Sequence, residues 1–308
     1  MNILTLIKLC GKLFLLLEDK LSNLNWKLIA SQSGLTEGPT WTEKGLLYSE
    51  CPESLTWLYD PESETNSIWR KNTGGSNGML LDEEGKLYAC EGEGRRLVSY
   101  KQNEETEVIA SEFEGKAFNE PNDLAIFPGG KKIWFSDPNY GGRDLSIEHE
   151  SVYLASKNEN KWVVSRATFD TDRPNGVLLS KDAKKLYVAN SPHDFENYSI
   201  RRELRSYSIE PDFSLGEYEV MHNFGPHRGV DGMTLDEDGN ILATAGFDKS
   251  GPGSLIYHFD QSGRVIQTFE APDNSPTNCT FGGKKKDLLY VTFATGSVYE
   301  LSGTGLKG

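Results

Sequence analysis

Glu37-Gly-Pro-Thr-Trp-Thr-Glu-Lys-Gly-Leu-Leu-Tyr48 and Asn77-Gly-Met-Leu-Leu-Asp-Glu-Glu-Gly-Lys-Leu-Tyr88 are two copies of one pattern. Each opens on an oxygen-bearing residue, runs through a short apolar stretch, breaks at a polar Gly-containing turn and resumes as a strand with an aromatic anchor. The pattern returns as Asn122-Asp-Leu-Ala-Ile-Phe127 leading to Ile133-Trp134, and as Asn175-Gly-Val-Leu-Leu-Ser180 leading to Leu186-Tyr187. Its last two copies are Asp231-Gly-Met-Thr-Leu-Asp236 with Ile241-Leu242, and Thr277-Asn-Cys-Thr-Phe-Gly282 with Leu289-Tyr290. From Tyr48 to Tyr290 the anchors repeat at about 48 residues, the spacing of four-stranded propeller blades. Two stacked β-sandwiches would not generate six equivalent units. The expected fold is all-β, a six-bladed β-propeller over residues 26–308.

The sixth unit runs out after Ser297-Val-Tyr-Glu-Leu301, one strand short. Trp26-Lys-Leu-Ile-Ala-Ser31 resembles Glu107-Val-Ile-Ala-Ser111, the outer strand of the second unit. We therefore expect the N-terminal strand to complete the sixth blade and close the ring, which removes an open sheet edge. Residues 1–25 read as a short helical extension. Lys8 and Lys12 interrupt Met1–Leu17, so no secretory core of roughly 7–15 apolar residues remains, and Cys10 lacks a lipoprotein context.

Of 308 residues, 46 are acidic and 32 basic, a formal charge of −14. That balance excludes a nucleic-acid partner, which needs clustered Lys and Arg; Lys284-Lys285-Lys286 is too short and reads as a turn. No segment approaches the roughly 20 apolar residues of a membrane span. The cysteines Cys10, Cys51, Cys90 and Cys279 form neither a disulfide framework nor a zinc motif. A cytoplasmic protein is expected, with a small-molecule partner and an oligomeric state that is not legible.

The first strand of a propeller blade lines the central channel, so Glu37, Asn77, Asn122, Asn175, Asp231 and Thr277 recur around one axis. An Asn-Gly or Asp-Gly pair taken alone is a turn signal. Six oxygen-bearing residues around one axis instead suit a hard divalent cation, with charge from Glu37 and Asp231 and amide oxygens from Asn122 and Asn175. Ca²⁺ fits first, then Mg²⁺ or Mn²⁺; Zn²⁺ fits less well because no His or Cys joins the set. The five histidines show no metal-ligand spacing.

Glu37-Gly-Pro-Thr-Trp41, Pro121-Asn-Asp-Leu124, Phe135-Ser-Asp-Pro-Asn-Tyr-Gly141, Pro174-Asn-Gly-Val177 and Asp231-Gly-Met-Thr-Leu-Asp236 together resemble the SMP-30/gluconolactonase/LRE family. The motifs stand in family order over roughly residues 26–302, and as a set they are specific. The resemblance implies a six-bladed propeller, one divalent cation in the channel and hydrolysis of lactones or related esters. It places metal ligands on Glu37, Asn175 and Asp231, a metal or substrate contact on Asn122, and the catalytic acid/base on Asp231. Relatives often carry Arg, which can hold the sugar, or a small residue two positions before Asn122. Here that position is Glu120, a substrate-facing candidate beside Asn122 and Asp137. Asp137 has two readings: contact with substrate or a second ion, and capping of a turn.

The implied chemistry is a cation polarising the lactone carbonyl while Asp231 moves a proton or attacks directly. Two alternatives use the same residues: a metal-dependent phosphotriesterase, and a non-catalytic calcium-binding scaffold. Gly74-Gly-Ser-Asn-Gly78 matches a serine nucleophile elbow in letters only, because a strand and not a helix follows it. Asp236-Glu-Asp-Gly-Asn240 lacks the closing Glu of a calcium loop and reads as a hairpin turn. The charged stretch Asn190–Arg202, with His193, is expected to cover the channel mouth.

Overall fold

The computed structural model describes residues 24–101, 105–140, 142–159, 161–192 and 199–308. The expected helical extension lies outside the described residues up to position 23, and Asn25 already belongs to a strand. His193 and residues 194–198 of the expected mouth loop also lie outside them. The described residues form six four-stranded sheets and a two-stranded ribbon at Glu112–Phe113 and Lys116–Ala117. No helix is assigned among them, and none is long and apolar enough to cross a membrane.

The innermost strands are Thr36–Thr42, Ser76–Leu81, Leu124–Ile126, Pro174–Leu179, Val230–Leu235 and Pro276–Gly282. Each packs on the innermost strand of the next sheet, and the sixth packs on the first, so the ring is closed around a channel. The sixth sheet runs Pro276–Gly282, Leu288–Phe293, Ser297–Ser302 and then Asn25–Ser31. The N-terminal strand pairs antiparallel from Asn25 opposite Ser302 to Ser31 opposite Ser297. Trp26 Nε1 donates to the Glu270 carbonyl at 3.1 Å, and its ring meets Tyr299 edge-on. The chain ends are thus joined by a ladder, and no blade is left with an unpaired internal edge.

The anchors legible in the sequence form the walls between blades. Tyr48, Tyr88, Trp134, Tyr187, Leu242 and Tyr290, all on second strands, are at most 3% exposed. Packed on both faces, these strands read as continuous apolar runs, whereas fourth strands such as Val265–Glu270 meet solvent and carry polar residues.

Five inner strands shift register where they enter the channel, between Glu37 and Thr40, Ser76 and Met79, Pro174 and Val177, Val230 and Met233, and Pro276 and Asn278. Such bulges re-aim side chains and increase local twist. They also explain the Asn-Gly and Asp-Gly pairs differently from a turn. A Cβ on Gly38 would strike the Asn77 carbonyl, and one on Gly176 the Asp231 carbonyl. Only glycine lets neighbouring blades approach that closely. Buried hydroxyls tie the same seams: Thr40 Oγ1 donates to Met79 O at 2.7 Å, Thr277 Oγ1 to Thr36 O at 2.7 Å, and Thr244 Oγ1 to Thr277 O at 2.8 Å.

Candidate active site

All six ring positions, Glu37, Asn77, Asn122, Asn175, Asp231 and Thr277, line one cavity of about 350 Å³ in the channel. The bulges bring residues up to 241 positions apart in the chain to one space: Asn278 Nδ2 donates to Glu37 Oε2 at 3.1 Å. Thr277 is already committed, because its hydroxyl bonds Thr36 O and Thr292 Oγ1.

Asp231 is held at both oxygens. Asn175 Nδ2 donates to Oδ1 across the seam between the fourth and fifth blades. Arg228 donates to Oδ2, and the same guanidinium reaches the carbonyls of Gly246 at 2.8 Å and Pro276 at 3.1 Å. Burial raises the Asp231 pKa above the usual carboxylate range, against the opposing pull of Arg228 and the Asn175 hydrogen bond. Glu37 accepts from Gly38 N at 2.7 Å. Burial first, then the charges of Asp231 and Asp123, push its pKa well up. Asp123 bonds Leu124 N and Val177 N, and burial raises it to about 7.

Among the described residues, no three His, Cys, Asp or Glu side chains gather into a ligand cluster. The channel instead combines the carboxylates of Glu37, Asp231 and Glu120 with amide oxygens. Glu37, Asp123 and Asp231 are buried close enough to oppose one another's ionisation, and a cation relieves that repulsion. Because Asn175 spends its amide nitrogen on Asp231, its carbonyl oxygen remains the group with which it can ligate. An oxygen-only donor set of this charge fits a hard divalent ion. Cys51 also lines the cavity, which the sequence reading did not foresee. Burial and the nearby Glu37 charge push its thiol well up, so it is held protonated and is not a ready soft ligand.

Asp137 does not line this cavity. It is fully buried, and its two oxygens accept from Asn119 N at 2.9 Å and Glu120 N at 2.8 Å. That is the turn-capping geometry, and burial raises its pKa to about 7. Glu120 does line the cavity, and its Oε2 accepts from Tyr140 N at 2.8 Å. Asn122 bonds through its backbone to Ser136 O and Gly78 N, leaving its side chain in the cavity wall. Ser76 of the apparent elbow is buried on the first strand of its blade beside Ser49 Oγ. Asp236 closes a hairpin by accepting from Asp238 N and Asn240 N.

Besides Cys51, the lining residues Arg228, Arg173 and Tyr140 were not legible in the sequence as site members. Arg228 stands three residues before Asp231 and Arg173 two before Asn175, so both lie within two residues ahead of an inner strand. That shared position was the available signal.

A closed six-bladed propeller with an acidic, amide-lined channel site defines a class of protein, and its family is established by comparison. Residues 35–295 match the model of the SMP-30/Gluconolactonase/LRE-like region, and the chain belongs to that family. It is 28% identical over 293 residues to a gluconolactonase of Zymomonas mobilis, covering 85% of this chain and 77% of that one. It is 24% identical to the pentonolactonase XacC of Haloferax volcanii, covering 91% and 88%. The fold superposes on a gluconolactonase of Xanthomonas campestris with TM-score 0.75 and 26% identity, over 91% and 89% of the chains.

Proposed function

We propose that this chain is a divalent-metal-dependent lactonase, with Ca²⁺ the preferred ion, and that Asp231 is its acid/base. The observation that carries the reading is the convergence of Glu37, Asn122, Asn175 and Asp231 on one channel cavity. Relatives that hydrolyse sugar-acid lactones support it. A scaffold has no use for two buried carboxylates on one cavity, because their desolvation is costly unless a cation or a reaction employs them.

When bound, the cation supplies Lewis-acid polarisation of the lactone carbonyl. Glu37, Asn175, Asp231 and Asn122 would hold it. Glu37 is fixed for this by Gly38 N and Asn278 Nδ2. Asp231 takes a proton from the attacking water, the water oxygen bonds the carbonyl carbon, and the ring C–O bond breaks. The same carboxyl then returns the proton to the leaving oxygen, so the product is the open hydroxy acid. Arg228 and Asn175 hold the carboxylate in one orientation during both transfers, and the raised pKa of Asp231 brings it nearer to the proton it must accept and return.

The test is proton release from a δ-lactone, followed with chelated protein, with calcium restored, and with Asp231→Asn. Hydrolysis that chelation and the substitution each abolish, and that calcium restores, is expected. Full activity in chelator overturns the metal role, and full activity of Asp231→Asn overturns the acid/base assignment.

A further inference from the structure

Two polar atoms in the channel cavity are left without partners. Asn77 Oδ1 and the Tyr140 hydroxyl are both sealed from bulk solvent, and no described protein group hydrogen-bonds either one. Both residues line the cavity that contains Glu37 and Asp231. Buried polar groups are nearly always satisfied, so such atoms in a cavity mark where a ligand or water must complete them.

Tyr140 is positioned rather than incidental. Its backbone nitrogen is tied to Glu120 Oε2 at 2.8 Å, and the Arg173 guanidinium lies 4.1 Å from its ring centroid. Arg173 stands in a left-handed backbone, φ 51°, immediately before the fourth inner strand. Burial first, then the Asp231 charge, keep the phenol protonated, so it can donate. Asn77 is the second residue of the second inner strand, three blades from Asp231 and hence across the channel. Ser49 Oγ bonds its backbone carbonyl at 3.0 Å, which fixes the backbone and leaves the side-chain oxygen unused.

We propose that Asn77 and Tyr140 are specificity-determining residues that hydrogen-bond hydroxyl groups on the ring of a polyhydroxylated lactone. Asn77 Oδ1 accepts from one hydroxyl and the Tyr140 O–H donates to another. A plain aliphatic lactone offers neither atom a partner and is disfavoured for that reason. The inference rests on the lactonase reading.

The experiment compares kcat/KM for glucono-δ-lactone and δ-valerolactone in the full chain, calcium-loaded, for wild type, Tyr140→Phe, Asn77→Leu and Asn77→Ala. Circular dichroism confirms folding, and the Ala variant serves if the Leu variant does not fold. The ratio of the two constants should fall about tenfold in Tyr140→Phe and in an Asn77 variant, the loss of roughly one hydrogen bond to substrate. Calcium titration of the Asn77 variant should give an affinity within about twofold of wild type, less than one ligand's contribution. An unchanged ratio overturns the proposal, whether both constants fall together or neither moves. A loss of calcium affinity with an unchanged ratio makes Asn77 a metal ligand and also overturns it. Wild-type protein that hydrolyses neither lactone instead overturns the lactonase reading, and this inference with it.

Discussion

The Asn175 amide nitrogen donates to Oδ1 of Asp231 across the seam between two blades, while Arg228 holds Oδ2. The pair couples the innermost strands of the fourth and fifth blades at the point where both bulge into the channel. A carboxylate clamped this way has one orientation available, in the wall of the cavity.

Arg228→Ala should therefore lower kcat by about 10–100-fold while leaving the fold intact, because Asp231 keeps its charge and loses its orientation. The guanidinium also lowers the Asp231 pKa. Its removal should move the acidic limb of the pH–rate profile upward, which stopped-flow proton release across pH 5–9 will show. An unshifted limb contradicts the role.

Calcium affinity should rise with pH. Burial holds the Glu37 and Asp231 pKa values above the ordinary carboxylate range, so protons compete for these ligands and binding expels them. Calorimetry in two buffers of different ionisation enthalpy will measure the protons released. Affinity independent of pH between 5 and 8 contradicts this.

Asp137 makes a separate pH prediction in chelated protein. Its folded pKa of about 7 lies above the unfolded value of about 3.9. The folded state therefore holds the extra proton between those values, and stability falls as pH rises from 4 through 7. The term is at most about 4 kcal/mol, from roughly 1.4 kcal/mol per pKa unit. Burial lowers the His222 pKa and acts in the opposite direction, so the readout is a difference. Urea midpoints should fall less between pH 5 and 7.5 in Asp137→Asn than in wild type. Equal slopes contradict the account.

Ring closure predicts contrasting effects for adjacent residues of the N-terminal strand. Ile29 is 9% exposed and packs in the closing seam, whereas Leu28 is 51% exposed. Ile29→Ala should cost about 2–4 kcal/mol and Leu28→Ala less than about 0.5 kcal/mol. Thermal denaturation will separate them, and equal costs would mean that the strand does not seal the ring.

The fold was legible because one pattern recurs six times, and repetition averages out the ambiguity of any single short strand. The closing strand was legible through its likeness to Glu107–Ser111. Glu37, Asn122, Asn175 and Asp231 were legible as equivalent positions on one axis. Arg228, Arg173 and Tyr140 were not, because they reach the cavity from segments between strands, where no period applies. The glycines after Asn77, Asn175 and Asp231 were read through turn chemistry, yet Gly176 and Gly232 serve close packing between blades. A bulge leaves no mark in hydropathy, so that competing cause was invisible.

The central claim is that four side chains of the channel hold one divalent cation, and a crystal structure of calcium-soaked protein tests it most directly. The account predicts a single anomalous peak in the cavity, with oxygens of Glu37, Asn122, Asn175 and Asp231 each about 2.3–2.6 Å away. A peak bound elsewhere, or a channel without one at saturating calcium, would contradict it.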